Sequence, residues 1–462
     1  MSANAWLDCD FQKSEAHPLG SPAIFGKRRQ VNDVCCSPID GPTDSGILLT
    51  RFVSDINQGG RKFTMETSIP VCNGVDWVGV RHADLKVFDD LFPTHNGTTY
   101  NAYLVRGRDK VALIDTVKEP FADEFFSKVG EHVRPEDVDL VVVNHTEPDH
   151  SGAVAQLLDK NPEIVVYCTK AAENFLKQLI NRPFKCHVVS DGEELDLGGR
   201  TLRFLLAPYL HWPDTMFTYL VEEKTLFSCD AFGSHFCPRR LFDDEIADFS
   251  YDFFFYFDCI MRPFKDKIRD AVAKVDDLEI DIVAPSHGPI RRQSGRNAIN
   301  AYKRWAAPAP GIDKPRALLA VLSSHGNTRN MSEVIRDELE RQGFEVIPFA
   351  LSDMRDDDYR NVLEQADVLI IGTPTIQRDA PPQVWHALAL LSSVTPKAKM
   401  AAVFGSFGWS GEAVKMVEQR LLGLKYKLAA DSISFRFTPT AENLETCRKF
   451  AEHIAGTVLC EE

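Results

Sequence analysis

Residues 140–152 read Leu140-Val141-Val142-Val143-Asn144-His145-Thr146-Glu147-Pro148-Asp149-His150-Ser151-Gly152. An apolar run of strand length stops abruptly, and four metal-binding residue types follow within six positions. A buried strand that opens into a polar loop sets those groups at a strand end, where α/β proteins build their sites. Neither a regular helix nor a strand can turn all four toward one ion. A tight loop can fan them toward two, and Pro148 stiffens that fan. The plain reading is a surface loop in which Asp149 or Ser151 caps a helix. The density of ligands directly after a valine run argues against it.

Three further ligand types follow strand-like stretches or lie in loops. His211 stands in His211-Trp212-Pro213-Asp214-Thr215, Asp230 in Leu226-Phe227-Ser228-Cys229-Asp230, and His287 in Ala284-Pro285-Ser286-His287-Gly288. Each alone is an ordinary structural residue. Taken with the 145–150 loop they make four imidazoles and three carboxylates. Imidazole suits zinc or iron, and the carboxylate share moves the preference toward iron or manganese. His235 reads as a packing residue beside this set. His82, His95, His187, His386 and His453 have no metal-type context.

The rhythm differs along the chain. Residues 1–64 carry many turn formers and little periodicity, and read as a partly disordered extension. Residues 65–305 mix strands and helices. Residues 306–315 hold Pro308, Pro310, Gly311 and Pro315 and read as a linker. Residues 316–462 alternate strand and helix, the pattern of a doubly wound parallel sheet.

Three loops of that last segment follow apolar strands. Ser323-Ser324-His325-Gly326-Asn327-Thr328 opens a helix, where backbone N–H groups and the helix dipole suit a phosphate. No Lys follows the Gly, so a nucleoside-triphosphate loop is excluded and a monophosphate fits better. Pro374-Thr375-Ile376-Gln377 and Ser406-Phe407-Gly408-Trp409, with Gly411, come after the next strands, and Trp409 offers an aromatic surface. The latter two loops resemble the isoalloxazine-flanking loops of flavodoxin-like domains, and with the first in register the resemblance implies a flavin mononucleotide (FMN) site.

With about 100–200 residues per domain, 462 residues suggest two to four domains. The net charge of -15 argues against nucleic acid and anionic membrane as partners. The 11 cysteines are scattered without a CxxC pair. That pattern suits reduced intracellular thiols and excludes a rubredoxin-like iron site within the chain. No apolar run nears the roughly 20 residues of a membrane span. Asp8, Asp10 and Glu15 interrupt any signal-like core. A cytoplasmic location is expected.

The ordered set His-x-Glu-x-Asp-His, then His, Asp and His, resembles the metallo-β-lactamase superfamily. With Gly97–Leu104, residues 211–219 and the loops at 323–328, 374–377 and 405–411, the chain from about Val75 onward resembles the flavodiiron proteins more closely. Hydrolytic zinc members usually carry His where Glu147 stands. The resemblance implies an N-terminal metallo-β-lactamase-like αββα domain followed by a flavodoxin-like domain. It implies that His145, Glu147 and His211 hold one iron and that Asp149, His150 and His287 hold the other. Asp230 would bridge them at the roughly 3.5–4 Å spacing of dinuclear sites. It further implies an external donor, a rubredoxin or flavin reductase, that reduces FMN, and a diiron centre that reduces O2 to water or NO to N2O. The expected assembly is a head-to-tail homodimer or a dimer of dimers. One departure stands out: Phe88-Asp89-Asp90 occupies a stretch where many relatives place a His. Two other readings compete, a dizinc hydrolase with an accessory flavodoxin-like domain and an electron-shuttle flavoprotein with a vestigial metal domain.

Overall fold

In the computed structural model, strand alternation sorts the apolar residues into layers. Residues 66–308, 314–394, 396 and 399–461 are described. The expected extension 1–64 and part of the expected linker lie outside the described residues.

The first sheet has seven strands in chain order: β1 (Ile69–Cys72), β2 (Val75–Trp77), β3 (Tyr103–Arg106), β4 (Val111–Ile114), β5 (Leu140–Val142), β6 (Val165–Cys168) and β7 (Lys185–Val188). Its first pairings are antiparallel, and β4 through β7 run parallel. The second sheet holds β8 (Glu194–Asp196), β9 (Thr201–Leu206), β10 (Met216–Leu220), β11 (Thr225–Cys229) and β12 (Ile282–Pro285).

Side chains alternate across a strand, so each strand serves two cores. Tyr103, Val105, Ala112, Ile114 and Val142 meet Phe204, Met216 and Phe227 between the sheets. Leu104, Leu113 and Val141 point outward, under α1 (Ala122–Gly130), α3 (Val154–Lys160) and α4 (Lys170–Ile180). The outer face of the second sheet packs on α5 (Ser250–Tyr256), α6 (Lys265–Val275) and α7 (Gly295–Trp305). This is the expected αββα sandwich.

A third sheet follows, with β13 (Arg316–Val321), β14 (Glu345–Ala350), β15 (Val368–Pro374), β16 (Met400–Phe407), β17 (Lys427–Leu428) and β18 (Ile433–Arg436). The order is β14-β13-β15-β16-β17, with β18 also on β16, and all pairings are parallel. Both faces are covered. Leu318, Leu369 and Val403 pack on one side, and Leu319, Ile370 and Ala402 on the other, under α8 (Asn327–Arg341) and α9 (Ala441–Glu461). β15 and β16 run further than the sequence suggests, through Pro374 and Phe407. The paired strand therefore presents the first residues of both expected loops.

A buried ionic network ties the two domains. Arg262 donates from Nε and Nη2 to the two carboxylate oxygens of Glu364, each at 3.0 Å, and from Nη1 to Asp258 at 2.6 Å. Arg360 reaches the other oxygen of Asp258 at 2.6 Å. Removing one partner of such a network strands a buried charge, at a cost of about 3–5 kcal/mol. Arg262→Ala is expected to split the calorimetric unfolding into two separate transitions. A single transition at the parental temperature would refute the coupling.

Candidate metal centre and second cavity

β5 ends at Val142, and Val143-Asn144 carries the chain to the ligand loop. Asn144 fastens that point to both sheets. Its backbone N–H and side-chain amide donate to Asp115 at 2.7 and 3.0 Å, and its side-chain oxygen accepts from Thr218 at 2.7 Å. Pro148 then starts α2 (Pro148–Ser151), where its fixed φ suits the first helical position. His145 and Glu147 thus precede the helix, and Asp149 and His150 lie within it.

The other ligand types arrive from the second sheet. His211 follows β9, Asp230 directly follows β11, and His287 follows β12. The Gly97–Leu104 segment holds the His287 loop. Asn101 donates to the carbonyls of Pro285 and Gly288 at 2.8 and 2.9 Å, and Tyr103 donates to Pro285 at 2.7 Å.

The seven side chains converge as two groups. His145, Glu147, His211 and Asp230 present ligand atoms within 4.8 Å of one another, and so do Asp149, His150 and His287. Asp230 reaches both groups. Its Oδ2 lies 3.5 Å from His211 Nε2 and 3.8 Å from His145 Nε2, while its Oδ1 lies 3.1 Å from His150 Nε2 and 3.3 Å from His287 Nε2. All but Glu147 and His211 are buried.

Outer contacts set the imidazoles. His145 Nδ1 faces both oxygens of Asp214 at 3.2 Å, which turns Nε2 toward the cluster. Asp214 is itself held by the N–H and hydroxyl of Thr146 at 2.8 and 2.7 Å. The Nδ1 of His287 lies 2.7 Å from the Thr99 carbonyl, which likewise frees Nε2 for the cluster. Tyr256, on α5, donates its hydroxyl to Asp230 Oδ1 at 3.1 Å.

The electrostatics suit a cation. Burial alone would lower His211 and His287, yet Asp230 with Glu147, and Asp149 with Asp230, hold them up at about 10 and about 9. Burial would also raise Glu147, but His145 and His211 keep its carboxylate well below the usual range. Both oxygens of Asp149 and both nitrogens of His150 are buried without a hydrogen-bond partner. Native proteins seldom leave buried polar atoms so, and a metal ion at the cluster would satisfy the Asp149 carboxylate and the His150 Nε2 that faces Asp230.

Sequence reasoning missed Asp214 and Tyr256. The first lies within the quoted His211–Thr215 stretch, and its type and position could have flagged it. Nothing marks the second, 26 residues beyond Asp230 in a phenylalanine-rich helix. His235, read as a packing residue, is buried with its ring 5.4 Å from that of His287, and shares the Thr98 hydroxyl with it. Asp89 lines an apolar cavity of about 520 Å³ beside His211. Partial burial and a hydrogen bond to Glu147 push its carboxyl up to about 7. A carboxyl raised toward neutral pH therefore stands at the stretch where many relatives place a His.

Asp214→Asn keeps the shape but removes the charge that orients His145. Outer ligands of this kind are worth about 10–100-fold in metal affinity. A loss of that size in chelator competition is expected, with the melting temperature nearly unchanged. Parental affinity would show that Asp214 only packs.

A second cavity, of about 330 Å³, opens at the C-terminal ends of β13, β15 and β16. Ser323, Ser324, His325, Asn327, Thr328, Pro374, Thr375, Ile376, Gln377, Ser406, Phe407, Gly408 and Trp409 line it. Gly326 and Gly411, also expected there, do not. Gly326 has φ +83° and makes the left-handed turn that opens α8. Gly411 lies against the Phe407 ring, where a Cβ would come within 3.0 Å. Phe437 completes the lining, and sequence reasoning missed it because it follows the short strand β18. Thr328 and Ser406 hydroxyls meet at 2.8 Å, joining two of the loops. Trp409 is 66% exposed at the rim. With hydroxyls at a 15-residue helix N-terminus and an aromatic rim, the cavity fits a flat ring system that carries one phosphate.

A metallo-β-lactamase-like sandwich with a dinuclear-type ligand cluster, joined to a flavodoxin-like domain with an open cavity, defines a class of two-cofactor redox proteins. The comparisons agree with that class. The profile of the ODP family beta lactamase matches residues 98–288, and that of flavodoxin matches residues 320–450. The chain is 40% identical over 400 residues to the type A flavoprotein of Rhodobacter capsulatus, covering 84% of this chain and 92% of that protein. It is 38% identical over 403 residues to the nitric oxide reductase of Moorella thermoacetica, covering 85% and 100%. Among solved structures, the rubredoxin oxygen:oxidoreductase of Desulfovibrio gigas superposes with a TM-score of 0.61 at 26% identity, over 86% of this chain and 99% of that one. At this similarity over this length the chain belongs to the flavodiiron, or type A flavoprotein, family of oxidoreductases.

Proposed function

We propose that this protein reduces O2 to water, NO to N2O, or both, at a diiron centre fed by FMN. The observation that carries this reading is the position of Asp230. It reaches both ligand groups, with Oδ2 toward His211 and Oδ1 toward His150.

His145, Glu147 and His211 would hold one iron, Asp149, His150 and His287 the other, and Asp230 would serve both. Bound flavin would supply electron relay, and bound iron the reduction of the gas. The chain's own residues set the stage. Asp214 and the Thr99 carbonyl fix which imidazole nitrogen faces inward. Tyr256 donates to Asp230 and holds its carboxylate between the groups. Asp89 sets a carboxyl, raised toward neutral pH, against Glu147 at the cavity wall. In the second cavity the 323–328 loop takes the FMN phosphate, and the 374–377 and 406–411 segments flank the ring. Glu147 and the second cavity favour this reading over a dizinc hydrolase.

The apolar surfaces support a head-to-tail dimer. Trp409 at the flavin rim and Leu91 at the cavity beside His211 are 66% and 68% exposed, and pairing two chains would cover both. An external rubredoxin or flavin reductase supplies the electrons. No helix among the described residues is long and apolar enough to cross a membrane. The scattered cysteines without a CxxC pair favour a cytoplasmic location. We set the domains at residues 65–305 and 316–462, with 1–64 as an extension and 306–315 as the linker. Removing residues 1–64 is expected to leave iron content, FMN content and activity intact. Loss of either cofactor would place the extension in the fold.

The deciding test is anaerobic. Fully reduced protein receives matched amounts of O2 or NO, and a gas electrode is read alongside the flavin spectrum. Rapid consumption of one gas with flavin reoxidation supports the reading and ranks the substrates. Consumption no faster than with free FMN overturns it.

A further inference from the structure

Two cysteines of the first sheet face each other across neighbouring strands. β6 and β7 run parallel, pairing Val166 with Cys186 and Cys168 with Val188. Cys168 is two residues beyond Val166, so both thiols lie on one face of the sheet. That face is covered by α4, whose Ala172 and Leu176 belong to the same apolar cluster. The two sulfurs are 3.5 Å apart.

The pair is asymmetric. β7 is the edge strand of the sheet. Cys186 on it is half-buried, while Cys168 is fully buried. A solute can therefore reach Cys186 and not Cys168. The charges agree: the hydrogen bond from Cys168 holds the Cys186 thiol below its ordinary range, against the effect of burial. The same contact, with burial, pushes the Cys168 thiol up.

We propose that Cys186 and Cys168 are a reversible thiol pair oxidised by peroxide, with Cys186 attacking and Cys168 resolving. The Cys186 thiolate attacks one oxygen of hydrogen peroxide. The O–O bond breaks, hydroxide leaves and takes a proton to form water, and Cys186 becomes a sulfenic acid. The Cys168 thiol then gives up its proton, and its sulfur attacks the Cys186 sulfur. The S–O bond breaks, the departing hydroxide takes that proton, and a second water leaves as the S–S bond forms. Two thiols have lost two electrons and two protons, and one peroxide has become two waters. A small dithiol reverses the change by thiol–disulfide exchange and is itself oxidised. The sulfurs must close from 3.5 Å to a bond length of about 2.05 Å. An edge strand, held by one neighbour only, can make that shift.

The site adjoins the metal-centre scaffold. Thr169, next to Cys168, caps α4 and donates to the main-chain carbonyl of Asp214 at 3.0 Å, and the carboxylate of Asp214 orients His145. The oxidation itself requires neither iron nor flavin, so it stands or falls apart from the proposed activity.

The test uses the full chain with its cofactors. Protein is treated with a slight molar excess of hydrogen peroxide, and separately with diamide, a thiol oxidant that needs no metal. Free thiols are then blocked, and digested peptides are quantified by mass spectrometry. With both oxidants, the peptide linking Cys168 to Cys186 is expected to become the main form of these residues, and dithiothreitol should return both thiols. Cys186→Ser should abolish the link without changing the circular dichroism. Cys168→Ser should leave Cys186 as a sulfenic acid that dimedone labels. The proposal is overturned if the exposed Cys460 oxidises before any 168–186 link appears. It is equally overturned if Cys186 passes to sulfinic acid with Cys168 still free.

Discussion

Asp230→Asn is expected to lower iron from two per chain to below one and to cut gas consumption on the order of 100-fold or more. The carboxylate is the one side chain common to both ligand groups, with Oδ2 facing His145 and His211 and Oδ1 facing His150 and His287. The amide has almost the same volume but no charge, and only one of its two polar ends can bind a cation. A one-ended ligand cannot hold two metals, and the remaining Glu147 and Asp149 no longer balance them. The fold should survive, because Asp230 follows the buried strand β11 instead of packing within it. Metal analysis and the gas electrode check the result, with flavin content as the control for folding. Two irons retained at parental activity would remove Asp230 from the centre and with it the bridged assignment.

Asn327→Asp should produce a folded protein that has lost its flavin. Asn327 is the first residue of α8 and lines the second cavity. A carboxylate at a helix N-terminus is favourable by itself, worth about 0.3–1 kcal/mol, so the empty domain should melt no lower than the parent. Beside a bound phosphate the same charge is repulsive. At about 4 Å and an effective dielectric near 20, two like unit charges cost about 4 kcal/mol. An FMN dissociation constant raised on the order of 100-fold or more is expected, measured by fluorescence titration of the apoprotein. Asn327→Ser, which keeps a neutral polar group, should stay within a few fold of the parent. Equal affinity in the Asp variant would move the phosphate elsewhere in the cavity. The opposite signs expected for stability and binding separate a flavin-site defect from a folding defect.

Much of this was legible along the chain. Runs such as Leu140–Val142 and Val368–Ile371 announce buried strands because nearly every position is apolar, and both faces of their sheets are covered. The three cavity loops were readable because each follows such a strand, and strands of one parallel sheet end on the same side. Their limits were less so. Gly372, Thr373 and Gly405 look like loop residues, yet they stay in the ladder because β15 and β16 pair with each other as far as Pro374 and Ser406.

The two fold classes, the seven candidate ligand types and the three loops are written in short stretches, because periodicity, residue type and local spacing are local properties. How they combine is set by the packed fold. That Asp230 reaches two groups, that Asp214 and Tyr256 hold the centre from 69 and 26 residues away, and that Cys168 meets Cys186 all depend on which strands lie side by side. Contacts across a fold are set by how the layers pack to bury their apolar faces, and that packing is a property of the whole chain.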